Sequence, residues 1–387
     1  MEYKRLGDYI REVNFRNREL KVTKPMGINI DKHFMPSVAN VIGTDLSAYK
    51  LVSKNQFACN LMHVGRDEKI PMAMQTDDNP IIVSPAYFVF EISQTEVLLP
   101  EYLMMWFSRP EFDRNAWFYT DADVRGGMDK SAFFDMMLPL PSIERQREIV
   151  EEYETLSRRI SLNEQMIQKL EATAQALYRK MFVDGIDKEN LPEGWRICIL
   201  DDVCKKITDG VHNTVEDDNN GDYYLLSCKN IKGGKITIGD DERRIDYDTF
   251  IHLRKRTQLK KGDILLSSVG TIGEMVLLNE DPLNYEFQRS VAIIRVDEKL
   301  ISPTFLFYSL KSQKEVIEQT AHGAVQKCIF ISDIANMQTI YPPLSEIEIF
   351  TKDASILTEL VLIKQQEISK LQKLQFLLLA RMGKIKQ

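Results

Sequence analysis

Few residues in this chain are grouped so that they could make or break a covalent bond. The five cysteines, Cys59, Cys198, Cys204, Cys228 and Cys328, are odd in number and include no C-x-x-C pair, so neither a disulfide framework nor a zinc site is expected. The five histidines are equally scattered and form no H-x-x-x-H pair. An Asn/Asp-Pro-Pro-aromatic loop, the kind that works beside a flipped adenine, is missing: the Pro-Pro of Tyr341-Pro-Pro-Leu344 follows neither Asn nor Asp. There is no phosphate-cradling G-x-x-x-x-G-K-[ST] and no G-x-S-x-G, and Gly270-Thr-Ile-Gly273 reads as a tight turn. No catalytic residue and no metal ligand is therefore expected.

What remains is chemistry of contact. Polar and basic residues in expected loops could reach a hydrogen-bonding partner: Arg16, Arg18, Lys21, Asn29, Arg66, Lys69 and Arg125 in the first half. In the second half they are His212, Asn213, Lys229, Asn230, Arg254, Lys255, Arg256, Ser267, Ser268 and Lys327. Arg and Asn are the types that pair bidentately with guanine and adenine edges. A net charge of −7 argues against nucleic acid when taken alone, but binding answers to local patches. Two are visible: His252-Leu-Arg-Lys-Arg-Thr-Gln-Leu-Lys-Lys261, and the series Arg11, Arg16, Arg18, Lys21, Lys24.

These residues must be positioned by a chain that repeats itself at an offset of about 200 residues. Leu99-Pro-Glu-Tyr-Leu-Met-Met-Trp-Phe-Ser-Arg109 aligns with Ile301-Ser-Pro-Thr-Phe-Leu-Phe-Tyr-Ser-Leu-Lys311, and Leu138-Pro-Leu-Pro-Ser-Ile-Glu-Arg145 with Ile340-Tyr-Pro-Pro-Leu-Ser-Glu-Ile347. Short helices are expected after Pro100 and Pro303. Strand-like runs occur at Ile81–Ile92, Ile264–Val269, Glu274–Leu278 and Val291–Val296.

Each half ends in a long helix with a heptad seam. The first runs from about Glu144 to Phe182, with Ile149, Tyr153, Leu156, Ile160, Ile167, Leu170, Ala174, Leu177 and Met181 on the seam and polar Asn163 filling its gap. The second runs from about Glu346 to Met382, with Phe350, Ala354, Leu357, Val361, Ile368, Leu371 and Leu378; Lys364, at the place equivalent to Asn163, and Gln375 break it. One apolar stripe on a helix that long needs a cover. The economical cover is the other helix, antiparallel; the alternative is two separate helices, each packed on a foreign chain. The expected fold class is α+β: two pseudo-repeated globular α+β domains separated by two long helices, an antiparallel coiled coil. The expected segments are a globular domain at 1–141, a helix at 142–183, a linker and second globular domain at 184–343, and a helix at 344–387.

No run approaches the roughly 20 apolar residues that span a bilayer, and Met1-Glu-Tyr-Lys-Arg-Leu-Gly-Asp8 lacks an apolar leader segment, so a cytoplasmic protein is expected.

Leu138-Pro-Leu-Pro-Ser-Ile-Glu-Arg-Gln-Arg-Glu-Ile149 and its echo at Tyr341–Ile347 resemble the specificity subunits of type I restriction-modification systems. So do Leu191-Pro-Glu-Gly-Trp195, similar to the opening of a second target recognition domain, Lys261-Gly-Asp-Ile-Leu-Leu-Ser267, and Gly323-Ala-Val-Gln-Lys327 ahead of Ile331-Ser-Asp-Ile334. The first domain departs from the pattern. Lys54-Asn-Gln-Phe57 stands where the Lys-Gly-Asp turn is expected, and Gly126-Gly-Met-Asp-Lys130 matches loosely. The resemblance implies two target recognition domains, each reading half of an asymmetric split target in double-stranded DNA, with two methyltransferase subunits docked on the helices and restriction subunits able to join them. It implies no cofactor on this chain: S-adenosylmethionine would belong to the methyltransferase, ATP and magnesium to the restriction subunit. Two rival readings are a coiled-coil scaffold with no DNA role and an acidic DNA mimic, against which the alternation of Asp and Glu with Lys and Arg argues.

Overall fold

The ends of each globular domain pair with one another. The computed structural model describes residues 2–37, 43–62, 64–120, 126–212, 214–239, 241–323 and 327–383. The first domain contains, in chain order, β1 (Glu2–Arg5), β2 (Ile10–Glu12), β3 (Pro25–Ile28), β4 (Phe34–Pro36), β5 (Lys50–Val52), β6 (Phe57–Cys59), the short α1 (Val64–Asp67), β7 (Met72–Met74), β8 (Ile81–Val83), β9 (Phe88–Ile92), α2 (Pro100–Phe107), α3 (Pro110–Phe118), α4 (Lys130–Asp135) and β10 (Met137–Leu140). The long α5 (Ile143–Phe182) follows. β1 lies antiparallel to β10, Glu2 opposite Leu140, so the chain leaves the domain beside its entry.

The second domain contains β11 (Arg196–Ile199), β12 (Cys204–Asp209), β13 (Tyr223–Leu226), β14 (Ile231–Lys232), β15 (Lys235–Ile236), β16 (Arg244–Ile245), α6 (Tyr247–Thr257), β17 (Ile264–Ser267), β18 (Met275–Leu277), β19 (Tyr285–Phe287), β20 (Val291–Val296), α7 (Pro303–Ser312), α8 (Lys314–Thr320), α9 (Ile331–Ala335) and β21 (Gln338–Tyr341). The long α10 (Leu344–Met382) closes the described chain. β11 pairs with β21, Arg196 opposite Tyr341, as β1 pairs with β10.

The repeat extends to sheet order. A four-stranded sheet runs β2-β9-β6-β7 in the first domain and β12-β20-β17-β18 in the second. Each domain also has a second sheet built round one parallel pair, β3 with β8 and β13 with β19. The run Ile81–Ile92 is not one strand, as its composition suggests, but two, in different sheets. Pro85 lacks the N–H a central strand must donate, and a turn closes as Tyr87 N donates to Ser84 O at 3.1 Å. The helices after Pro100 and Pro303 form with proline in the first turn, where its missing N–H costs nothing.

Contacts divide the chain into two compact units, residues 1–163 with 366–387, and residues 164–365. Each takes half of each long helix. In the first unit, Leu379 and Met382 from the end of α10 are buried with Ile149 from the start of α5, alongside the domain's own Phe57, Phe90 and Phe107. There Gln375 Nε2 donates to Ser157 Oγ at 2.7 Å, and Arg159 pairs with Glu367 at 2.6 Å. In the second unit, Ala174, Tyr178 and Phe182 from the end of α5 share a core with Phe350 and Ala354 from the start of α10. In both units the helices therefore run antiparallel.

The seam residues Ile149, Ile167, Phe350, Val361 and Ile368 are buried, while Tyr153, Leu156, Ile160, Leu170, Leu357 and Leu371 are half-buried. At the far ends the burial centre moves off the heptad. Tyr178 and Phe182 are buried beside half-buried Leu177, and Leu379 and Met382 beside half-buried Leu378. A helix with 3.6 residues per turn drifts from a seven-residue repeat unless it supercoils throughout, and here the domain cores capture the drifted face. Asn163 is buried, 2% exposed, and its Nδ2 has no partner among the described residues. Lys364 is half-buried. Among the described residues no helix is long and apolar enough to cross a membrane.

Each domain is fastened to the first turns of the helix that follows it. Buried Gln146 Nε2 donates to Val97 O and Pro141 O, at 2.8 and 2.9 Å, and its Oε1 accepts from Leu99 N at 2.9 Å. In the second domain Trp195 Nε1 donates to Glu346 Oε1 at 3.2 Å, and the hydroxyls of Ser302 and Thr351 share a hydrogen bond at 2.6 Å.

Candidate nucleic-acid interface

In the second domain, loops that are distant in sequence meet at one end of the β12-β20-β17-β18 sheet. β12 leads through Gly210, where a Cβ would meet Phe287 O at 2.1 Å, so a side chain there would hold the strands apart. Beyond it Val211 N donates to Phe287 O at 2.8 Å and Arg289 N to Val211 O at 3.0 Å. The loop after β17 joins at Ser268, whose N donates to Ser290 O at 2.9 Å; Ile329 N donates back to Ser268 O at 2.9 Å, and Gly270 N to Lys327 O at 3.1 Å. Cys228 N donates to Ser290 Oγ at 3.0 Å. This backbone net brings His212, Lys229, Arg289 and Lys327 to one end of the sheet. All four are exposed.

Asp209, the last residue of β12, pairs with both His212 (2.6 Å) and Arg256 (3.3 Å), adding a cation from the end of α6. Lys229 pairs with Glu242 at 3.0 Å. Lys327, Arg289 and Lys255 have no ion-pair partner among the described residues. Arg289 is absent from the sequence-based candidates. Its signal was its place between two strand runs, Tyr285–Phe287 and Val291–Val296.

Four second-domain candidates hold the fold instead. Arg254 lies inside the basic run, but its guanidinium pairs with buried Glu286, donates to Pro282 O and Tyr285 O at 2.8 and 2.9 Å, and stacks over Phe250. Burial pushes the Glu286 carboxyl up, against the pull of Arg254. Asn230 is buried; its Oδ1 accepts from Ser227 N, and its Nδ2 donates to Thr237 O and Glu242 Oε1. Ser267 is buried and its hydroxyl closes the turn by donating to Thr271 O and accepting from Glu274 N. Ser268 is also buried and works through its backbone. Asn213 lies outside the described residues.

In the first domain Arg18 and Lys69 are exposed and have no ion-pair partner among the described residues. Arg66 is exposed but lies against Asp67 at 2.7 Å, and Lys21 pairs with Glu19 at 2.5 Å. Arg16 is half-buried and donates to Ala48 O at 2.5 Å; Asn29 closes the β3–β4 hairpin by accepting from His33 N at 2.8 Å. Arg125 lies outside the described residues. Lys130, the last residue of the Gly126–Lys130 segment, pairs with Glu12 at 2.8 Å and lies over the Phe88 ring.

The Lys-Gly-Asp turn has a first-domain copy after all, in altered chemistry. In the second domain Gly262 takes φ +87°, and buried Asp263 accepts from Lys260 N at 2.9 Å and from Arg295 at 2.7 Å. In the first, Asn55 takes φ +63°, Gln56 Oε1 accepts from Ser53 N at 2.7 Å, and Gln56 Nε2 donates to Glu91 at 2.9 Å. Phe57 faces Phe90 as Ile264 faces Ile294, so Glu91 occupies the position of Arg295 with the opposite charge. Asn tolerates the left-handed backbone that otherwise favours glycine, which is why the turn survives.

Burial pushes the Cys59 thiol up, and the Cys204 thiol up to about 12, so both are held protonated. Among the described residues no three His, Cys, Asp or Glu side chains group as a metal site.

Residues 192–375 match the family model of the type I restriction modification DNA specificity domain. The EcoBI specificity subunit of a type I restriction enzyme from Escherichia coli is 27% identical over 237 residues, covering 55% of this chain and 49% of that protein, so the match spans about half the relative's length. The MjaVIII specificity subunit from Methanocaldococcus jannaschii is 25% identical over 264 residues, 64% of this chain and 61% of that one. The crystal structure of a type I restriction-modification S subunit from M. genitalium has the same fold, with a TM-score of 0.55 at 10% identity, over 98% of this chain and 95% of that one. Over residues 192–375 the chain thus resembles the DNA specificity domain of type I restriction-modification systems, and it is similar in sequence to their specificity subunits.

Proposed function

We propose that this chain reads a bipartite, asymmetric DNA target for a type I restriction-modification complex and performs no chemistry itself. The observation that carries the reading is the structural duplication: two domains with the same sheet order, each fastened to its own long helix. One duplicated reader gives two half-site contacts, and divergence between the copies makes the halves differ. In the second domain the loop end holding His212, Arg289 and Lys327 contacts DNA, with arginine suited to guanine edges and lysine to phosphate. The long helices dock two methyltransferase subunits. The support is a row of apolar side chains facing solvent on α10: Ile349, Ile356, Leu360 and Ile363, then Leu374 and Leu377. Restriction subunits join that assembly. S-adenosylmethionine is held by the methyltransferase, and ATP and magnesium by the restriction subunit; the complex works in the cytoplasm.

Incubation of the pure chain with labelled S-adenosylmethionine and DNA tests the division of labour. No methyl transfer above background is expected, and adding the methyltransferase subunit should restore transfer. Methylation by the chain alone would overturn the reading.

A further inference from the structure

The two long helices are copies at an offset of 201 residues, Ile143 to Leu344. Buried positions obey it: Ile149 and Phe350, Ile167 and Ile368. Applied to the outward faces, the same offset relates two surfaces, one in each unit, that are chemically unlike.

In the first unit an open groove of about 560 Å³ has Glu148, Glu151, Glu152 and Thr155 on its α5 side, and Leu374, Leu377 and Arg381 on its α10 side. Leu377 is 52% exposed. Glu148 is paired with Arg145 at 2.6 Å, but Glu151 and Glu152 have no cation partner among the described residues. In the second unit the equivalents of Glu148, Glu151, Glu152 and Thr155 are Ile349, Lys352, Asp353 and Ile356, so a lysine stands beside the one remaining acid, and those of Leu374, Leu377 and Arg381 are Thr173, Ala176 and Lys180. Ile349 and Ile356 are 57% and 53% exposed. The helix α10 thus supplies the large apolar side chains on both faces. The α5 side is acidic in the first unit, and small and basic in the second.

We infer that the two faces take the same kind of element, an amphipathic helix of the methyltransferase with Lys or Arg beside its apolar stripe, but hold it unequally. This rests on the docking proposed above. At the first-unit groove Glu151 and Glu152 attract the basic flank; at the second-unit face the apolar stripe binds without that attraction. Two identical methyltransferase subunits then bind in two distinguishable steps, and only the first-unit step depends on salt, because exposed charge pairs are screened and apolar contacts are not.

The test titrates the methyltransferase subunit into the full chain and follows stoichiometry by native mass spectrometry and sedimentation, at about 0.05 M and about 0.5 M salt. One step should weaken about tenfold at high salt while the other holds. The double variant Glu151→Gln, Glu152→Gln should abolish that salt dependence and leave the other step unchanged. Two steps with equal salt dependence, or a double variant that alters both steps or neither, would overturn the inference. Leu377→Asp and Ile356→Asp, at exposed positions one on each face, should each remove one bound copy. If both variants still bind two copies, the docking itself fails; if each loses one copy but the steps are alike, only the inequality fails.

Discussion

A chimera in which residues 1–141 come from a relative's first domain should, with the methyltransferase proposed above, modify DNA at sites where one half is new and the other half is unchanged. Each domain has its own four-stranded sheet and buried core, and its first and last strands pair with each other. An exchanged domain therefore brings its own frame for its loops. A mismatched base pair costs about 1–3 kcal/mol, so a changed half-site of three or more pairs should cut modification of the parental target by at least about a hundredfold. The join should follow Pro141, so that Gln146 keeps its place in α5; the incoming domain must offer it the carbonyls now supplied by Val97 and Pro141. Methylome sequencing reads both halves together. If both change, the halves are not read by separate domains.

Asp263→Ala should be among the most destabilising single changes in the second domain. Its carboxylate is fully buried and takes two hydrogen bonds from Arg295 and one from Lys260 N. Removing one partner of a buried pair leaves the other charge without compensation, at a cost of about 3–5 kcal/mol. Gln56→Ala, at the equivalent turn of the first domain, removes only hydrogen bonds of a neutral amide and should cost about 1–2 kcal/mol, because Glu91 keeps Arg11 at 2.6 Å. Hydrogen exchange read domain by domain in the full chain separates the two. Equal losses would contradict the view that one turn is built on an ion pair and the other on an amide.

The sequence announced what periodicity and punctuation control. The long helices were legible because their seams recur over some forty residues and each is preceded by a proline-rich stop. The duplication was legible from the aligned segments around Pro100 and Pro303. Charge placement was not. Arg254 and Arg256 are two residues apart in one basic run, yet the helical turn points one at buried Glu286 and the other at half-buried Asp209 at the end of β12. Asn230 looks like a base reader and is a buried turn clasp. The first domain's copy of the Lys-Gly-Asp turn was hidden because the conserved quantity is a left-handed backbone with a capping side chain, which Asn55 and Gln56 supply as well as Gly262 and Asp263 do. Arg289 was overlooked because its place beside the other cations is set by a hydrogen-bond net formed by loops from five parts of the chain.

Selection from randomised duplex DNA with the chain and the proposed methyltransferase partner together tests the central claim most directly. The account predicts enrichment of a motif in two unlike parts, separated by a spacer of fixed length whose bases are unselected. It also predicts that Arg289→Ala with Lys327→Ala degrades one part and leaves the other. A single continuous motif, or no enrichment over random DNA, would contradict it.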